Sequence, residues 1–147
     1  MSYSCQCPCG TTKYRINGEP IVRFFCHCTI CQQQYQAPYV DVSLFRLSDV
    51  DLPDDFEINY HRLKRFGAVD RGRCPSCDKP ILSKMGKGDN AFAFLAARNC
   101  VNAEDLPPPD IHVFYGTRTA DVEDDLPKYN NAVTSRYAFI KRMMKKP

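Results

Sequence analysis

The chain has 147 residues, 44% of them hydrophobic, which suits one ordinary domain with a core of its own. Its 20 Lys and Arg stand against 17 Asp and Glu, and a formal net charge of +3 is far from the dense positive field that phosphate-backbone binding needs, so nucleic acid is not an expected partner. No apolar run approaches the ~20 residues that a bilayer demands, and MSYSCQCPCG lacks the regions of an export signal, so the expectation is a cytoplasmic protein without a membrane partner.

In chain order, CQCPCG comes first, and an extended strand there sends Cys7 and Cys9 to one face. TKYRINGEPIVRFFCHC follows as two extended stretches punctuated by NG and EP. TICQQQYQ predicts one or two helical turns after the second cysteine group, with Thr29 as the N-cap. Strands are expected in APYVDVSLFRL, FEINYHRLKRF, KPILSKM, NAFAFLAAR and DIHVFYGTR, each rich in β-branched or aromatic residues and bounded by turn formers. NAEDLPPPD reads as an extended surface connection, and AVTSRYAFIKRMMKK as a basic C-terminal helix. No repeat of fixed period is present. The expected fold class is mostly β with little helix, built as one domain over residues 1–130 and a basic, helical extension over residues 131–147.

Nine cysteines need a reason, because a reducing cytosol keeps thiols free. A secreted disulfide scaffold predicts an even count, an export signal and dispersed cysteines, and the chain has none of these. Apart from Cys100, the cysteines fall into three tight groups, which points to metal. Cys7 and Cys9, joined by the Cys74-x-x-Cys77 knuckle, make a closed tetrathiolate whose work is to tie distant segments together, with zinc preferred over a rubredoxin-like iron.

Cys26, Cys28 and Cys31 offer three thiolates with no fourth ligand nearby in sequence, the arrangement of an open catalytic zinc. Alternation turns His27 away from the face shared by Cys26 and Cys28, leaving it a hydrogen-bonding neighbour. Three thiolates give the ion a formal charge of about −1, so it suits the binding of another sulfur ligand better than water activation. The rival reading is a second closed site completed by Cys5 or Cys100, which leaves a two-zinc structural or binding module without catalysis.

The spacing Cys-x-Cys-Gly, Cys-His-Cys-x-x-Cys, Cys-x-x-Cys resembles the glutathione-dependent formaldehyde-activating enzyme family, which includes centromere protein V. CHCTICQQQYQAPYV, RGRCPSCDKPIL and DLPPPDIHVFYGTRTADVEDDLPKY extend the resemblance over roughly residues 5 to 129. It implies several small coiled antiparallel β-sheets, a structural zinc at Cys7, Cys9, Cys74 and Cys77, and a catalytic zinc at Cys26, Cys28 and Cys31. It further implies a carbon–sulfur lyase-type activity, the joining of glutathione to formaldehyde as S-hydroxymethylglutathione, with a small thiol and a small aldehyde as partners. Cys5 stands where the family usually has a small residue. Asp78 replaces the Gly that commonly follows the knuckle, a position that often wants φ > 0.

A redox alternative comes from RNCVN, which resembles the Arg-x-Cys-x-Asn motif of B-type methionine sulfoxide reductases and makes Cys100 a nucleophile. That family's tryptophan-containing substrate motif has no counterpart in a chain without Trp. A binding-module alternative rests on KRMMKK and HRLKRF, short basic runs that a solvated surface also explains. His61 and His112 are expected as surface or satisfied histidines, Tyr35 and Tyr39 as residues beside the second cluster, and Arg65 or Arg73 as contacts for a glutathione carboxylate.

Overall fold

A computed structural model describes residues 2–52, 58–62 and 69–145 of the chain. Alternation of buried and exposed side chains builds β1 (Ser2–Gln6) and β2 (Lys13–Asn17), which bury Tyr3, Cys5, Tyr14 and Ile16 on one face. They pair antiparallel, and β2 also carries the short β5 (Val50–Asp51) to complete a three-stranded sheet.

The second sheet has seven strands in the order β10 (Ile111–Val113), β3 (Val22–Cys26), β4 (Val40–Arg46), β9 (Phe92–Ala96), β8 (Pro80–Met85), β7 (Val69–Arg73), β6 (Asn59–Arg62). Its pairs are antiparallel except β10 with β3, which run parallel. The mostly-β architecture is as expected, with the strands gathered into two sheets. Of FEINYHRLKRF, residues 59–62 form β6, and the rest apart from Ile58 lies outside the described residues. β7, with the sequence VDRGR, carries little apolar pattern and forms through its hairpin with β8. The pairing register shifts between Gly72 and Arg73, and a Cβ on Gly72 would sit 2.5 Å from the Leu82 carbonyl oxygen, so the close approach requires glycine.

β4 divides two cores, because its alternation sends Phe45 to one side and Val42 and Leu44 to the other. Phe45 packs with Tyr3, Ile16, Ile81, Leu82 and Leu95, and this core contains Cys5, Cys7, Cys74 and Cys100. Val42 and Leu44 pack with Val22, Phe24, Ile111 and Val113 around Cys26 and Cys31. The first and third cysteine groups therefore share one core, and the second group belongs to the other.

Helix α1 (Thr29–Tyr35) follows β3 directly, and its N-cap is Cys28, whose sulfur accepts the Cys31 amide at 3.3 Å. Thr29, expected as the cap, is the first helical residue instead, since the sulfur one position earlier already takes the free amide. Helix α2 (Ala132–Lys145) starts at Asn131, whose Oδ1 accepts the Thr134 amide at 2.9 Å. It is not a free tail: Ala138 is fully buried, and Phe139 meets Phe24 edge-on at 4.8 Å. Among the described residues, no helix is long and apolar enough to cross a membrane.

Candidate metal centres

The first centre forms where β1 ends. Cys7, Pro8, Cys9 and Gly10 make a turn rather than the expected strand, because Pro8 removes an amide and Gly10 takes φ 77°. The turn is closed by the Gly10 amide donating to the Cys7 carbonyl at 3.0 Å. The Cys74–Cys77 knuckle is built in the same way, the Asp78 amide donating to the Cys74 carbonyl at 2.9 Å. Asp78 adopts φ 55°, the left-handed conformation expected where Gly is commonly found.

The sulfurs of Cys7, Cys9, Cys74 and Cys77 all lie within 4.8 Å of one another. Cys7 and Cys9 are 3.1 Å apart, and Cys9 and Cys74 3.7 Å. The Thr12 amide donates to Cys7 Sγ and the Thr12 hydroxyl to Cys74 Sγ, each at 3.3 Å. Burial pushes the Cys74 thiol up, but the Thr12 hydroxyl and the backbone amides of Cys77 and Ser76 draw it down to about 6. Four converging sulfurs with thiolate-stabilising donors fit a soft cation in a closed shell.

The second centre joins the end of β3 to the start of α1, and Cys26, Cys28 and Cys31 also lie within 4.8 Å of one another. Cys28 Sγ is 3.4 Å from Cys26 Sγ and takes the Cys31 amide. Hydrogen bonds from the Cys26 and Cys31 thiols hold Cys28 far down, to about 3, despite its burial, while Cys26 is pushed well above the usual thiol range. The surroundings favour a thiolate at Cys28, and three converging sulfurs make a donor set that fits a soft cation. Arg71 of β7 adds positive charge that favours thiolates at Cys28 and Cys31.

Among the described residues, no fourth Cys, His, Asp or Glu joins this group. Cys5 and Cys100, the sequence candidates for closing it, face each other in the other core. His27 points away as alternation requires, and its Nε2 lies 2.9 Å from His112 Nδ1. His112 Nε2 in turn meets Asp124 Oδ2 at 2.7 Å, and Lys128 Nζ meets Asp124 Oδ1 at 2.7 Å. The carboxylate accepts from His112 Nε2–H, so His112 Nδ1 accepts from His27 Nε2–H, and both tautomers are fixed. Burial, with help from His112 and Arg118, lowers His27 to about 4. His112 is fully buried, a satisfied histidine and not a surface one.

The His27 carbonyl, between two of the cysteines, accepts from Gln32 Nε2 at 2.7 Å and Thr117 Oγ1 at 2.9 Å. Thr117 and Asp124 were not singled out by sequence reasoning. Both lie in the DIHVFYGTRTADVEDDLPKY stretch, and a parallel strand from that stretch beside β3 was the signal that only the fold supplies.

Tyr39 stacks on His27 at 4.8 Å between ring centres, and Tyr35 packs against the second core under the Arg98 guanidinium. Arg73 is committed elsewhere, bonding Gln34 Oε1 of α1 and the Asp78 carbonyl of the knuckle. Arg65 lies outside the described residues, and His61 sits in β6 opposite Arg71. An open groove of about 580 Å³ runs beside α1, lined by Thr29, Gln32, Gln36, Pro38 and Thr119.

A scan of protein families matches residues 2–117 to the family described as glutathione-dependent formaldehyde-activating enzyme. A comparison with curated proteins found no match.

Proposed function

Because the chain belongs to the glutathione-dependent formaldehyde-activating enzyme family, we propose that it is a two-zinc enzyme of the cytoplasm that joins a glutathione-like thiol to a small aldehyde such as formaldehyde. The observation that carries this reading is the three-sulfur group of Cys26, Cys28 and Cys31, which no fourth ligand completes among the described residues. Cys7, Cys9, Cys74 and Cys77 would hold a structural zinc, and Cys26, Cys28 and Cys31 a catalytic one. Zinc at the second centre would supply a soft Lewis acid that keeps a substrate sulfur deprotonated and nucleophilic near neutral pH.

The chain's own residues arrange that chemistry. Gln32 and Thr117 fix the His27 carbonyl, and with it the turn that aims Cys26 and Cys28. Cys31 donates its amide to Cys28 Sγ and so maintains the thiolate that a soft cation needs. Arg71 offers positive charge on the side of Cys28 and Cys31, suited to an anionic thiol. The amide-rich groove along α1 suits a peptide-like substrate body, with Gln32 and Gln36 as hydrogen-bond partners. The aldehyde needs no pocket of comparable size. Its carbonyl carbon forms the new bond to sulfur, and its oxygen takes up a proton to become the product hydroxyl.

The test is spectroscopic. With cobalt in the second centre, glutathione should intensify the sulfur-to-metal charge-transfer band, S-methylglutathione should not, and formaldehyde added afterwards should yield S-hydroxymethylglutathione faster than the uncatalysed mixture. A loaded centre whose spectrum ignores glutathione and other small thiols is closed, and the protein is then a two-metal structural module.

A further inference from the structure

Two buried cysteines belong to neither metal cluster. Cys5 lies on β1, and Cys100 directly follows a 3-10 turn (Ala97–Asn99) that comes straight after β9. They stand directly opposite each other in an isolated antiparallel bridge between distant parts of the chain. The Val101 amide donates to the Ser4 carbonyl at 2.7 Å, so the hydrogen bond flanks the pair instead of joining it. Such a non-hydrogen-bonded pair brings Cα atoms to about 4.5 Å, at the near end of the ~4.4–6.8 Å window over which disulfides form.

The register is pinned by Asn102, whose side chain holds one edge of β1 at two points. Its Oδ1 accepts the Ser4 amide at 3.0 Å, and its Nδ2 donates to the Ser2 carbonyl at 3.2 Å. Each thiol has a long, weak acceptor of its own, Cys5 Sγ the Tyr3 carbonyl at 3.9 Å and Cys100 Sγ the Asn102 Oδ1 at 3.7 Å. Cys5 and Cys100 are 2% and 6% exposed, so only a small reagent reaches them, and it meets Cys100 first.

We propose that Cys5 and Cys100 form a redox-active pair, separate from both metal centres, that closes to a disulfide on two-electron oxidation by a small hydroperoxide. The Cys100 sulfur attacks the distal peroxide oxygen and the O–O bond breaks. The alcohol or water leaves with the Cys100 proton, giving a sulfenic acid. The Cys5 sulfur then attacks the Cys100 sulfur, the S–O bond breaks, and hydroxide leaves with the Cys5 proton as water. Two thiols are oxidised to one disulfide while one hydroperoxide is reduced. The bond would staple the three-stranded sheet to the seven-stranded one across a long loop of chain.

The experiment treats the metal-loaded protein with hydrogen peroxide and follows intact mass, metal content and non-reduced peptide maps together. The expected result is a species lighter by about 2 Da with its metal retained, a single linkage between the peptides of Cys5 and Cys100, and a melting temperature raised by about 5–15 °C. Dithiothreitol should reverse all of these, and Cys5→Ala and Cys100→Ala should remove the shift. Oxidation that instead releases metal and links Cys7, Cys9, Cys26 or Cys28 overturns the proposal, as does a wild-type map with Cys5 and Cys100 still free. The wild-type map decides even if a variant fails to fold.

Discussion

Cys28 serves two ends at once, since its sulfur caps α1 and belongs to the second cluster. Serine can replace it in the first role but not in the second. Cys28→Ser should therefore leave a folded protein with one metal per chain fewer than wild type, by elemental analysis. Cys28→Ala should lose the same metal and a further ~1 kcal/mol, read as a lower melting temperature. Asp124 is the other residue whose surroundings dictate a measurable effect. Lys128, then His112, hold its carboxyl down to about 2, so its contribution to stability is complete above the ordinary carboxylate value near 4 and is lost only as pH falls toward 2. Asp124→Asn should cost about 1 kcal/mol. The difference from wild type should stay flat between pH 8 and pH 5, and a difference that titrates within that range would place the effect on another group.

At the scale of elements, apolar alternation made β2, β3, β4, β8 and β9 legible, and the periodic basic segment made α2 legible. β7 was not, because VDRGR forms a strand through its neighbours and not through its own pattern. The turn at Cys7–Cys9 was missed for a different reason: the i, i+2 spacing fits a strand as well as a tight turn, and Pro8 and Gly10 decide between them. Gly72 marks where β7 depends most on its partners. A Cβ there meets the Leu82 carbonyl at 2.5 Å and Ile58 Cγ2 at 2.6 Å, so Gly72→Ala should cost about 1–3 kcal/mol in urea unfolding and disturb the β7–β8 hairpin. An unchanged midpoint would mean that the strands separate at no cost.

For the whole molecule, the grouping of cysteines was readable from spacing, because knuckles and alternate positions bring sulfurs together whatever the fold. The placement of Cys5 and Cys100 was not, since their bridge exists only once β1 lies against the segment after β9. The two centres also differ in reach. Cys9 and Cys74 meet across a sequence separation of 65 residues, whereas Cys26, Cys28 and Cys31 span one strand end and one helix start. Cys74→Ser should lower the melting temperature by about 10 °C or more, and Cys28→Ser by only a few degrees. Equal losses would contradict this division of labour.

Arg73 gives the two centres a common mechanical element. Its guanidinium spans from the carbonyl of Asp78, which ends the first centre's knuckle, to Gln34 on the helix that carries Cys31. The same guanidinium would help to order both the knuckle and that helix, so a metal held at one centre would lower the conformational cost of binding at the other. Linkage makes this reciprocal: if metal in the first centre raises the affinity of the second by some factor, metal in the second raises the first by the same factor. Arg73→Ala should make stepwise metal titrations independent, with the second step weakened several-fold while both sets of ligands remain in place. The variant would then take up scarce metal gradually, where an intact bridge would make the two centres fill and empty as a pair.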